Sequence, residues 1–123
     1  MLKKRILVVD DEESIQLALK KLLQRPNIDV DVCGCKEDAV SFLGQYSYGA
    51  VITDLRLSGT LEQEGLEIIN FVKETTPLTK VALITAYGNC SAFEQKLNFG
   101  TDFYFEKPVS IKDLNSIMDS ISD

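Results

Sequence analysis

Histidine is absent from this 123-residue chain. That excludes a Ser-His or Cys-His catalytic pair and a phosphohistidine on the chain itself. Cysteine is scarce and odd in number: Cys33, Cys35 and Cys90. Without disulfide-scaffold spacing, such a set fits a reducing compartment. Cys33 and Cys35 share one side of a strand end. With no histidine, a zinc site would also need Cys90 and a carboxylate, so buried or half-buried thiols are the simpler expectation. Long apolar runs are lacking: none approaches the roughly 18 residues of a membrane span. Lys3, Lys4 and Arg5 precede an apolar stretch, but it ends after Ile6-Leu7-Val8-Val9, too short for the core of a signal peptide. Positive charge is in deficit, with 13 Lys and Arg against 19 Asp and Glu, a net charge of −6. That argues against direct nucleic-acid binding, which needs clustered cations for phosphates. The expectation is a soluble, cytoplasmic single domain spanning residues 1–123.

What is present alternates regularly. Short apolar runs near 5–9, 29–33, 49–53, 80–84 and 102–105 read as strands. Between and after them lie amphipathic segments. Residues 13–25 put Ile15, Ala18, Leu19, Leu22 and Leu23 on one face, stopped by Pro26. Residues 36–45 carry Ala39, Val40 and Leu43; 64–75 carry Leu66, Ile69 and Val72. Residues 90–99 carry Ala92, Phe93 and Leu97, with Gly100 as a C-cap. Residues 110–121 carry Ile111, Leu114, Ile117, Met118 and Ile121, opened by a Ser110–Asp113 capping box. Alternating strands and helices with apolar strands predict a parallel sheet covered on both faces.

In such sheets, sites form at the carboxyl edge. Asp10 and Asp11 follow the first strand, Asp54 the third, Thr85 ends the fourth and Lys107 follows the fifth. An aspartate at a strand end is ordinarily a turn or cap former, and acidic residues such as Glu12 and Glu13 suit a helix N-terminus. An aspartate pair against a fully apolar strand is less well explained that way. Three carboxylates in one crevice require a partner of positive charge. A hard divalent cation, with oxygen ligands and retained water, fits. It would keep Asp54 ionised and able to attack phosphorus, while Lys107 and the Thr85 hydroxyl contact phosphoryl oxygens.

Four segments then stand in order: Leu7-Val8-Val9-Asp10-Asp11-Glu12, Val51-Ile52-Thr53-Asp54-Leu55, Ile84-Thr85-Ala86 and Phe105-Glu106-Lys107-Pro108. Together they make the whole chain resemble the receiver domain of two-component response regulators, the CheY-like superfamily. The resemblance implies a doubly wound, flavodoxin-like (βα)5 three-layer sandwich with strand order 2-1-3-4-5 and five helices. It implies that Asp54 takes a phosphoryl group from a phosphohistidine on a sensor histidine kinase or phosphotransfer protein, with Mg2+ (or Mn2+) as cofactor. Asp11, Asp54 and the backbone carbonyl of Arg56 would bind the metal directly, and Asp10 mainly through water. Thr85, Ala86 and Lys107 would contact the phosphoryl group. Tyr104 would be the aromatic switch that turns inward as Thr85 moves, changing the face of the fourth helix, fifth strand and fifth helix. The Lys107-Pro108 bond would be cis. Arg56 and Tyr87 match variable positions beside the pocket and would tune dephosphorylation. The output would lie in a domain or protein outside the chain, and homodimers are common in the family.

The departure from the family follows Asp54. The expected Met-Pro is missing, Ser58 stands near its place, and the glycine counterpart, Gly65, lies eleven residues beyond Asp54 rather than eight. That suggests a three-residue insertion bearing on partner docking or metal access. Two other functions compete. A phosphate-independent binding module is disfavoured by the intact acidic set, Thr85 and Lys107. A flavin carrier or aspartyl-phosphate hydrolase is disfavoured because no Gly-rich phosphate loop follows the first strand, and because Arg56 stands where such hydrolases usually carry a second aspartate.

Overall fold

The computed structural model describes residues 4–54, 63–85, 101–106 and 109–121, the side chains of 63–66 and 85 excepted. The elements run β1 (Lys4–Val9), α1 (Glu13–Leu23), β2 (Ile28–Cys33), α2 (Lys36–Gln45), β3 (Ala50–Asp54), α3 (Gln63–Thr75), β4 (Lys80–Thr85), β5 (Phe103–Glu106) and α4 (Ile111–Ile121). The five strands pair in parallel in the order β2-β1-β3-β4-β5. This is the expected flavodoxin-like sheet, with four helices among the described residues. The expected helix at 90–99, its Gly100 cap and the Lys107-Pro108 bond lie outside them.

The period-2 alternation of the strands sorts the interior into two layers. Leu7, Val9, Val51, Val81 and Leu83 face one side and pack with Ala39 and Leu43 of α2 and Ile68, Ile69 and Val72 of α3. Ile6, Val8, Ala50, Ile52, Ala82 and Ile84 face the other and pack with Leu19 and Leu23 of α1 and Leu114, Ile117, Met118 and Ile121 of α4. Because β1, β3 and β4 are buried on both faces, they are continuous apolar runs.

Helix ends follow local chemistry. At α4, Ser110 Oγ accepts from the Asp113 amide at 3.1 Å, and the Ser110 amide donates back to Asp113 Oδ2 at 3.3 Å, which is the expected capping box. Helix α1 stops at Leu23, two residues short of the expected end, and the Gln24 amide donates to the Lys20 carbonyl. Its apolar face is narrower than the sequence suggests: Leu19 and Leu23 are buried and Ile15 half-buried, but Ala18 is exposed and Leu22 is 41% exposed. Ile111 at the start of α4 is likewise exposed.

The amino edge of the sheet is closed by hydrogen bonds. The Lys4 amide donates to the Asn27 carbonyl, Gly49 to Arg5, Lys80 to Gly49 and Asp102 to Val81. Side chains reinforce it: Asp31 Oδ2 accepts from Tyr48 at 2.6 Å and from Arg5 at 3.0 Å, and Thr79 donates to the Tyr48 carbonyl. The Arg5 guanidinium also lies 4.2 Å from the centre of the Tyr46 ring. Asp102 Oδ2 accepts from the buried Val81 amide at 2.9 Å, with Lys73 Nζ at 3.6 Å.

Candidate functional site: an acidic carboxyl edge

Strand register fixes what meets at the opposite edge. Val9 pairs with Thr53, so Asp10 emerges one step beyond the β1–β3 pairing. Asp54 is the last residue of β3 rather than the first after it, and it pairs with Ile84. Thr85, which closes β4, pairs with Glu106 at the end of β5, so Lys107 follows directly in sequence. The backbones of Asp10, Asp54 and Thr85 therefore share the carboxyl edge, as the sequence predicts. Arg56, Ala86, Tyr87, Lys107 and the 58–65 loop's first residues lie outside the described residues, as does Cys90.

The β1–α1 turn is tightly specified. Asp10 is 3% exposed. Its amide donates to the Cys33 carbonyl at 3.0 Å, and its Oδ1 accepts from the Glu12 amide at 2.9 Å, an Asx turn that starts α1. Its carbonyl accepts from Gln16 Nε2 at 2.5 Å. Asp54 is buried at 8% exposure, and the neighbouring Thr53 hydroxyl donates to the Asp54 carbonyl. Asp11 and Glu12 are exposed.

Asp10, Asp11 and Glu12 each offer a carboxylate oxygen, and these oxygens all lie within 4.8 Å of one another. Around one octahedral magnesium, ligand oxygens sit about 3 Å apart when adjacent and about 4 Å apart when opposite. The donor set is all oxygen and anionic, so its chemistry fits a hard divalent cation. Glu12 enters this group although the sequence assigns it to the helix dipole; its signal is adjacency to the aspartate pair. Among the described residues Asp54 does not join the 4.8 Å group.

Tyr104 on β5 is half-buried, its ring packed on the α2–α3 layer and its hydroxyl oxygen screened from solvent. Phe103 and Phe105 stack with each other at 5.9 Å and pack on the opposite layer. Cys33 and Cys35 are free thiols. Burial first, then the nearby Asp38 carboxylate, pushes the Cys33 thiol up to about 12, so it is a poor metal ligand at neutral pH.

A five-stranded, doubly wound parallel sheet with carboxylates gathered at its carboxyl edge defines a CheY-like α/β protein. The chain belongs to the response regulator receiver domain family, whose model matches residues 6–119. It is 30% identical over 118 residues to the response regulator protein PilR of Pseudomonas aeruginosa, covering 96% of this chain and 26% of that protein. The chain thus spans about a quarter of that relative's length. Among solved structures it is similar to a CheY-like receiver domain protein from Methanospirillum hungatei, with TM-score 0.83 and 26% identity over 97% of this chain and 94% of that one. It is also similar to the beryllofluoride-activated NtrC4 receiver domain dimer, with TM-score 0.81 and 26% identity, covering 95% of each chain. Receiver domains are signalling switches of two-component systems rather than ordinary enzymes, and they generally bind Mg2+ at an acidic pocket. No helix among the described residues is long and apolar enough to cross a membrane.

Proposed function

We propose that this chain is a phosphorylatable switch in which Asp54 accepts a phosphoryl group from a phosphohistidine on a histidine kinase or phosphotransfer protein. Mg2+ (or Mn2+) is the cofactor, held directly by Asp11, Asp54 and the Arg56 carbonyl and through water by Asp10. Bound there, the cation supplies positive charge to the phosphoryl oxygens as the transfer proceeds. The Asp54 carboxylate attacks phosphorus and the donor's P–N bond breaks, its electron pair leaving with the imidazole nitrogen, which takes up a proton. Thr85, Ala86 and Lys107 hold the phosphoryl oxygens. Tyr104 then follows Thr85 inward, and the face formed by the expected 90–99 helix, β5 and α4 changes its partner preference. Arg56 and Tyr87 set the lifetime of the acyl phosphate. Residues 1–123 act as one domain in the cytoplasm, alone or as a homodimer, and the reader of the switch is an output domain or protein beyond this chain.

The observation that carries this reading is the register that brings Asp10, Asp54 and Thr85 to one edge, with the Asp10–Asp11–Glu12 carboxylates beside it. The test is intact mass after incubation with Mg2+ and acetyl phosphate. One phosphoryl group adds about 80 Da, and Asp54→Asn abolishes the gain. Absence of any gain, together with failure to bind beryllofluoride, would refute the switch in favour of a phosphate-independent binding module.

A further inference from the structure

Three hydrogen bonds converge on Asp10, and the one from Gln16 is not explained by helix formation. Gln16 sits in the first turn of α1, where its own amide already donates to the Glu12 carbonyl at 3.1 Å. Its side chain reaches back six residues so that Nε2 donates to the Asp10 carbonyl at 2.5 Å. That carbonyl belongs to the peptide joining Asp10 to Asp11. Beside it lies Gly34, the first of the two residues between β2 and α2. A Cβ built there would stand 3.4 Å from Gln16 Nε2, 3.6 Å from the Asp10 carbonyl oxygen and 3.8 Å from the Asp11 Cα. The β2–α2 turn thus lies over the hydrogen bond, with room for a Cβ at ordinary contact distance, while the Cys33 carbonyl accepts from the Asp10 amide.

From this we infer that Gln16, seated beneath Gly34, is a positioning residue for the acidic site. It touches neither the phosphoryl group nor the metal. By fixing the Asp10–Asp11 peptide plane, it sets the directions in which the Asp10, Asp11 and Glu12 carboxylates leave the backbone. Those carboxylates repel one another, so an unclamped turn would relax by rotating them apart. A neutral amide donor opposes that relaxation without adding a cation that would compete with the metal. The inference rests on the proposed reading that this edge takes a divalent cation.

The test is Mn2+ and Mg2+ affinity measured by calorimetry on wild type, Gln16→Met, Gly34→Ala and Gly44→Ala. Gln16→Met keeps the length of the side chain and removes the donor. Gly34→Ala adds a methyl group at ordinary contact distance from the same amide, and a Cβ at Gly44 meets nothing within 4 Å, so both serve as controls that leave the donor in place. Losing one hydrogen bond should weaken metal binding about fivefold in Gln16→Met. Gly34→Ala and Gly44→Ala should both bind the metal close to wild type. The metal-free thermal midpoint of Gln16→Met should fall by a few degrees at most, as loss of one hydrogen bond requires, and phosphorylation by acetyl phosphate should recover at saturating Mg2+. Metal affinity unchanged in Gln16→Met would overturn the positioning role. So would an affinity loss in Gln16→Met with a loss of phosphorylation that saturating metal fails to rescue. A wild-type chain that binds neither ion would overturn the metal reading itself, a separate outcome.

Discussion

Raising the pH from 8 to 11 should destabilise this fold through one identifiable thiol. Cys33 ends β2 with 7% exposure. Burial, helped by Asp38, Cys35 and Asp31, lifts its folded value from 9.0 to about 12. The folded state therefore holds the proton more tightly than the unfolded chain does. The stabilisation is fully present below pH 9 and is lost as pH rises toward 12, because the unfolded thiol ionises first. Linkage between 9.0 and about 12 gives a loss of about 2.5 kcal/mol from pH 8 to pH 11 as an upper bound. The thiol stands at a strand end, within reach of solvent screening, so about 1–2 kcal/mol is the working expectation. The assay is urea denaturation followed by far-ultraviolet circular dichroism at pH 8, 9, 10 and 11, on wild type and Cys33→Val. Valine keeps similar volume and suits a strand but cannot ionise. Wild type should lose more stability than Cys33→Val, with the gap opening above pH 9. Parallel loss in both proteins would refute the linkage argument. Tyr48, whose phenol is raised by burial and by its hydrogen bond to Asp31, contributes in the same direction and is common to both proteins.

Two further outcomes are expected, the first from the geometry at Asp102 and the second from the proposed switch. Asp102→Ala leaves the buried Val81 amide without its side-chain acceptor and frees Lys73, and should cost about 1–3 kcal/mol; hydrogen exchange at Val81 should rise, and unaltered protection there would count against the bond. Arg56→Ala and Tyr87→Ala should each change the half-life of the phosphorylated chain by severalfold, followed by intact mass after the phosphodonor is removed; identical half-lives would remove both residues from the tuning role.

Most of the fold was legible because its strands are short apolar runs with no competing period. Residues 36–45 form α2 as expected, and β1, β2, β4 and β5 each lie within a residue of their expected bounds. The end of β3 differs for a physical reason: Asp54 still pairs with Ile84, so ladder bonding reaches one residue beyond the apolar run. The rotation of α1 was less legible. Periodicity marks a broad face including Ala18 and Leu22, but the α1 face buried in the sheet layer centres on Leu19 and Leu23. At the site, the aspartates were readable from their places after apolar strands. Gln16 was not, because a glutamine in a first helical turn looks like an ordinary solvated position. Its side chain reaches the Asp10 carbonyl beside Gly34, eighteen residues away in sequence and brought alongside by the β1–β2 pairing.

The hydrogen-bonded amino edge gives the molecule two poles with different duties. Cohesion is concentrated where Arg5, Asp31, Tyr48, Lys73 and Asp102 are matched to partners. The far pole instead gathers the carboxylates of Asp10, Asp11 and Glu12. A sheet anchored at one rim can keep like charges close at the other without unravelling. Substitutions at the acidic rim therefore draw little on the contacts that close the amino edge.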